Sequence, residues 1–144
     1  MWRKVHEADL TASLSLAEID AFRKSADFEH DPVESQIRQV CSYVRGCIRS
    51  GGVIKDRQMA KDESALPESL ISPAMDYLRY QILTRMNLTV NESRTKAYDR
   101  ANEIFDSLRK GDFIPEPDAA AEADDSAKAV SPIAADATPP RLLD

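Results

Sequence analysis

Asp31-Pro32-Val33-Glu34-Ser35-Gln36-Ile37-Arg38-Gln39-Val40-Cys41-Ser42-Tyr43-Val44-Arg45-Gly46-Cys47-Ile48-Arg49-Ser50-Gly51-Gly52 is the stretch from which the fold is read. Asp31 has the side chain of an N-cap. Pro32 stands at the first helical position, where its missing N–H costs nothing, and Glu34 lies in the first turn, where the helix dipole favours an acid. Val33, Ile37, Val40, Val44 and Ile48 recur at three- and four-residue spacing, an apolar stripe about four turns long. Gly51-Gly52 then stops the helix with a left-handed cap. This segment is predicted to be the central core helix.

Upstream, Asp9-Leu10-Thr11-Ala12-Ser13-Leu14 reads as a short helix or a turn. Ser15 and Glu18 form a capping box. The helix it opens, over 16–26, turns Leu16, Ile19, Phe22 and Ala26 inward and leaves Glu18, Asp20, Arg23 and Lys24 wet. Downstream, residues 53–66 carry no sustained period and are long for an interhelical connection, so they read as a projecting loop. Within it Lys55 to Ala60 fit either a helical turn or part of a hairpin. Pro67-Glu68-Ser69-Leu70-Ile71 opens a helix running through Met86, with Ile71, Met75, Leu78, Ile82 and Met86 inward and Tyr77, Arg79 and Tyr80 beside or opposite that stripe. Ser72-Pro73 either restarts this helix or sits inside its first turns. Asn91 caps a last helix to about Lys110, facing the core with Ala97, Ala101, Ile104, Phe105 and Leu108, and Gly111 closes it.

From Pro115 onward the composition changes. Five of the eight prolines (Pro115, Pro117, Pro132, Pro139, Pro140) lie there, and no aromatic residue follows Phe113. Seven acids against two bases from Glu116 to Asp144 hold −5 of the net charge of −6. Such a segment buries no core of its own; it is expected to be disordered alone and extended along a partner in an assembly. The fold class is therefore all-α: a compact bundle of four to five helices over residues 1–114, with a long loop and an extended C-terminal tail over 115–144. A chain of 144 residues suits one core, and it has no run of about 18 apolar residues to span a membrane and no secretory signal at Met1-Trp2-Arg3-Lys4-Val5-His6-Glu7.

The inventory of reactive groups is thin. His6 and His30 are isolated, without the spacing of a zinc site. Four glycines (Gly46, Gly51, Gly52, Gly111) build neither a phosphate-cradling loop nor a nucleophile elbow. Cys41 and Cys47, about 9 Å apart along one helix, are read as reduced, half-buried apolar residues. Asp56, Asp62 and Glu63 sit among Lys55, Arg57 and Lys61, the pattern of a solvated mixed-charge loop. Neither an enzyme nor a cofactor is expected. Arg38, Arg45 and Arg49 fall on one helix face that Lys55 and Arg57 extend. The spacing fits the wet side of an amphipathic helix, contact with DNA phosphates, or acids on a neighbouring subunit.

Leu66-Pro67-Glu68-Ser69-Leu70-Ile71, followed by Ala74-Met75-Asp76-Tyr77-Leu78-Arg79-Tyr80, resembles the head-tail connector (adaptor) family of long-tailed bacteriophages. The resemblance continues through Val90-Asn91-Glu92-Ser93-Arg94, Tyr98-Asp99-Arg100-Ala101 and Leu108-Arg109-Lys110-Gly111. Upstream it includes Asp9-Leu10, Ser15-Leu16-Ala17-Glu18-Ile19 and the helix from Val33 to Ile48, so it covers roughly residues 5–113. Many relatives end soon after the glycine, and this chain does not. The resemblance implies a virion structural protein of the neck, made in the host cytoplasm, whose copies form a ring, commonly of twelve. That ring docks on the portal protein, extends the DNA channel and carries a downstream neck or tail protein, with at most nonspecific contact to DNA. On this reading Pro132, Ile133, Pro139, Pro140, Arg141, Leu142 and Leu143 of the tail bind the portal or a neighbouring subunit. Arg38, Arg45, Arg49, Lys55 and Arg57 make subunit or channel contacts. The competing reading is a small helical DNA-binding packaging protein like a terminase small subunit. Against it, the last helix alternates acids and bases instead of presenting a basic face.

Overall fold

A computed structural model of the chain describes residues 1–25 and 30–121. The order is β1 (Trp2–Lys4), α1 (Glu7–Thr11), α2 (Leu16–Lys24), α3 (Pro32–Gly51), a 3-10 turn (Asp56–Gln58), β2 (Ala65–Pro67), α4 (Glu68–Arg85) and α5 (Glu92–Lys110). Five α-helices and one two-stranded sheet thus make up the described residues. The long helices α3, α4 and α5 pack on one another, with α1 and α2 laid against them.

Helix ends follow local chemistry. The Asp31 carboxylate accepts from the Val33 N–H at 3.0 Å, and the Asn91 side chain accepts from the Arg94 N–H at 2.8 Å. Ser15 and Glu18 form the expected reciprocal box. Helix α5 ends in a Schellman motif: Gly111 is left-handed (φ 77°), and the Asp112 N–H reaches the Ser107 carbonyl. Asn87 does the same for α4 with φ 56°, where Leu88 N–H bonds the Leu83 carbonyl. Pro73 lies inside α4, and the helix runs on past it.

The apolar stripes meet in one core that includes Ile19, Phe22, Val40, Val44, Ile48, Leu70, Met75, Ile82, Phe105 and Leu108. Leu16, expected inward, is 67 % exposed. It is the first residue of α2, whose buried residues are Ile19 and Phe22 further along. Ala26 lies outside the described residues. Both cysteines are buried and free, and burial pushes the Cys41 thiol up to about 12.

Gly51 belongs to α3 itself, and the left-handed cap is Gly52 alone (φ 68°). Gly51 has a different task. A Cβ there would run into the Leu108 carbonyl, and one at Gly111 would come within 3.1 Å of the Gly51 carbonyl oxygen. The C-terminal ends of α3 and α5 therefore cross backbone to backbone.

The projecting loop expected over 53–66 is instead folded down. Ile54, Met59, Ala60, Ala65 and Leu66 are buried, and Lys55 to Ala60 contain a helical turn. Its end pairs with the N-terminus as an antiparallel strand pair in the register Trp2 to Pro67, Arg3 to Leu66 and Lys4 to Ala65. Residues just beyond the expected body boundary at 114 are held down too. Pro115 is buried, the Trp2 indole donates to the Glu116 carbonyl at 2.6 Å, and the Asp118 N–H bonds the Gln58 carbonyl at 2.7 Å. The Glu116 carboxylate accepts from Ser69 at 2.5 Å and meets the Met1 amino group at 3.0 Å. Residues 119–121 are helical.

Candidate partner-binding surface

Seven residues from Arg38 to Arg45, and four more to Arg49, come close to whole helical turns, so the three arginines share one edge of α3. Together with Ser42, Glu63 and Ser64 they line a pocket of about 160 Å³ between α3 and the segment before β2. It adjoins a second groove of about 240 Å³, which includes Lys4, His6, Glu34 and again Arg38 and Ser64.

The three arginines are not equivalent. Arg38 is exposed, and Arg49 is exposed and pairs with Asp56 at 3.1 Å. Arg45 is only 5 % exposed, which corrects the reading of all three as a solvent-facing stripe. Its guanidinium donates to the Asp62 and Ala65 carbonyls, both at 3.0 Å, and to the Ala60 carbonyl at 2.6 Å. It also lies 5.4 Å from the centroid of the Trp2 ring. Burial, and then the charge of Arg49, pull its pKa below the ordinary value, yet a guanidinium does not lose its proton in a protein. Arg45 therefore carries a buried positive charge, compensated by carbonyl dipoles and an aromatic face. Its first task is to clip residues 60–65 onto α3. Neither Lys55 nor Arg57, both exposed, lines the pocket. The tail candidates Pro132, Ile133, Pro139, Pro140, Arg141, Leu142 and Leu143 lie outside the described residues.

A second surface feature was not anticipated. All four tyrosines of the chain stack into one ladder across three helices. Tyr43 of α3 stacks on Tyr77 of α4 (5.2 Å between centroids), Tyr77 on Tyr98 of α5 (5.3 Å), and Tyr98 on Tyr80 of α4 (3.9 Å). Phe105 meets Tyr43 and Tyr77 edge-on from the core side, and Arg109 caps Tyr43 both by a hydrogen bond and over its ring. Tyr77 and Tyr80 were legible only as residues beside or opposite the inward stripe; their partners on other helices were not.

Polar ties complete the joints. Arg94 of α5 grips Glu18 of α2 with both terminal nitrogens, at 2.8 and 3.1 Å. That contact, opposed by partial burial and helped by Ser15, holds the Glu18 carboxyl down at about 2. Arg79 donates to the Ser13 carbonyl at 2.9 Å, and Asp76 accepts from the Ser13 hydroxyl at 3.3 Å, which fixes the turn between α1 and α2. Arg23 joins Glu7 and Asp31, tying three elements together.

Among the described residues no group of three or more His, Cys, Asp or Glu side chains is placed to hold a metal ion, and no helix is long and apolar enough to cross a membrane. No family model, curated protein or solved structure matches the chain.

Proposed function

We propose that this protein is a non-catalytic virion subunit of a bacteriophage neck: a head-tail connector that assembles as a ring, of twelve copies by the family's habit, between the portal and the next neck or tail component. The observation that carries the reading is where the residues of the family-like run fall. Asp76 and Arg79 hold the α1–α2 turn, Tyr77 and Tyr80 stack on Tyr98, Arg94 grips Glu18, and Gly111 closes α5 against Gly51. A run whose members support one another in space is a single structural signature, stronger than its short pieces taken separately. The mechanism is surface complementarity between copies and ordering of the tail on its partner, neither of which requires chemistry at a reactive group.

The packaging-protein alternative needs a basic recognition face. On α5, Arg94 instead pairs with Glu18, Lys96 with Glu92 at 3.1 Å and Arg109 with Asp106 at 2.5 Å. The reading is tested by incubating the purified protein with portal rings and separating free from bound material by sedimentation. Co-migration in stoichiometric amount, resistant to about 0.3 M salt, is the expected outcome. Sedimentation with duplex DNA in place of portal would refute it.

A further inference from the structure

Where α3 packs on α4, Gln36, Gln39 and Tyr43 of the one helix and Tyr77, Gln81 and Arg85 of the other line a hollow of about 170 Å³. Their three- and four-residue spacings put each set on a single helix edge. Gln36 sets this hollow apart. It is 7 % exposed, yet its carboxamide makes no hydrogen bond among the described residues. A buried amide without a partner is destabilising in a folded body. Its polar atoms are not sealed off as Arg45 Nε and Arg79 Nε are, so they open onto the hollow. Gln39, Gln81 and the exposed Arg85 likewise have no hydrogen-bond or ion-pair partner among the described residues. Tyr77 has one ring face covered by Tyr43 and the other by Tyr98, so it can give the hollow only its rim and hydroxyl. No carboxylate lines the site. It therefore holds one full positive charge and a set of carboxamide N–H donors, with no acid to meet either.

We propose that this hollow is a docking site for an acidic side chain presented by an extended segment of a partner protein. Arg85 supplies the charge-assisted hydrogen bonds to the carboxylate, and the carboxamide N–H groups of Gln36 and its neighbours complete its coordination. The carboxamide oxygens only accept. A bare carboxylate would leave them facing its own negative charge, whereas a peptide brings backbone N–H groups that match them. A cavity of about 150 Å³ holds a molecule the size of benzene, so the hollow has room for one side chain. Because Arg85 is wet, the contact is salt-sensitive. The inference stands apart from the connector reading, since it rests on groups that a single copy leaves unmatched.

The test follows the side-chain NH2 signals of the 15N-labelled full chain while the peptide acetyl-Ala-Glu-Ala-amide is added. Gln58, whose carboxamide oxygen accepts from the Lys55 N–H at 2.8 Å, is the internal control. The expected result is a saturable shift of the Gln36, Gln39 and Gln81 signals with a Kd on the order of 1 mM, Gln58 staying still. Acetyl-Ala-Gln-Ala-amide should bind about tenfold more weakly, and about 0.5 M salt should weaken the acidic peptide several-fold. Arg85→Gln, an exposed change that leaves the fold intact, should abolish the preference for the acid. Gln36→Met, nearly isosteric and without hydrogen-bonding groups, should weaken binding of both peptides while the backbone spectrum stays that of the parent. Equal binding of the two peptides would overturn the assignment of an acid. Equal response to sodium glutarate would make the ligand a free carboxylate and overturn the docking role. No saturable shift at peptide concentrations well above the millimolar range would overturn the site.

Discussion

Arg38, Arg45 and Arg49 have one spacing and two fates, and what separates them is the segment that covers the middle one. Residues 60–65 fold over Arg45 and turn three carbonyls towards it, so its charge is fixed inside the protein while its neighbours stay wet. Helical periodicity places all three on one edge, but it carries no information about a chain segment fifteen to twenty residues away. Replacing Arg45 by Met removes the donors and leaves buried carbonyls unmatched. A loss of about 2–4 kcal/mol is expected from urea unfolding, with Arg45→Lys only partly restoring it because an ammonium cannot match the fork. Arg38→Met should change stability by less than about 0.5 kcal/mol. Gly51 gives a second residue-scale prediction. Gly51→Ala drives a methyl into the Leu108 carbonyl and should cost about 1–3 kcal/mol, whereas an ordinary exposed glycine near a helix end gains slightly from alanine.

At the scale of elements, helices were legible wherever their signals are local. Asp31-Pro32, Ser15 with Glu18, and Asn91 each cap the helix that the apolar stripe after them predicts. The strand pair was not legible, since Trp2–Lys4 and Ala65–Pro67 are three residues each and lie some sixty positions apart, too short for alternation to register. The joints between helices lead to two measurements. Glu18 has its carboxyl held at about 2 against an ordinary value of 4.5, so the folded state binds that proton less readily than the unfolded chain. Its contribution is present above about pH 4.5 and fades as pH falls towards 2. With the side chain 26 % exposed and partly screened, this amounts to on the order of 1–2 kcal/mol. Arg94→Gln should flatten the acid limb of a stability-against-pH curve by that amount. In the tyrosine ladder the rings, not the hydroxyls, make the contacts at Tyr98. Tyr98→Ala should cost about 2 kcal/mol in thermal or urea unfolding, and Tyr98→Phe less than about 0.5 kcal/mol.

For the whole molecule, the sequence reading of an all-α bundle with a compositionally distinct C-terminal segment agrees with the described fold. The body extends a little further than composition indicates: Glu116 and Asp118 look like tail residues, yet they bond Ser69, the Met1 amino group and the Gln58 carbonyl. Composition reports what a segment lacks, not which neighbours fold onto it, so residues 115–118 were the least legible part of the body. The connector proposal requires copies of this body to assemble on a portal, with residues 122–144 contributing to that contact. Native mass spectrometry of the full chain, alone and with a candidate portal ring, tests it most directly. The account predicts a single ring-sized complex on the portal that is lost when residues 122–144 are deleted from a body that still folds. A monomer under all conditions, binding duplex DNA with steep salt dependence instead, would contradict it.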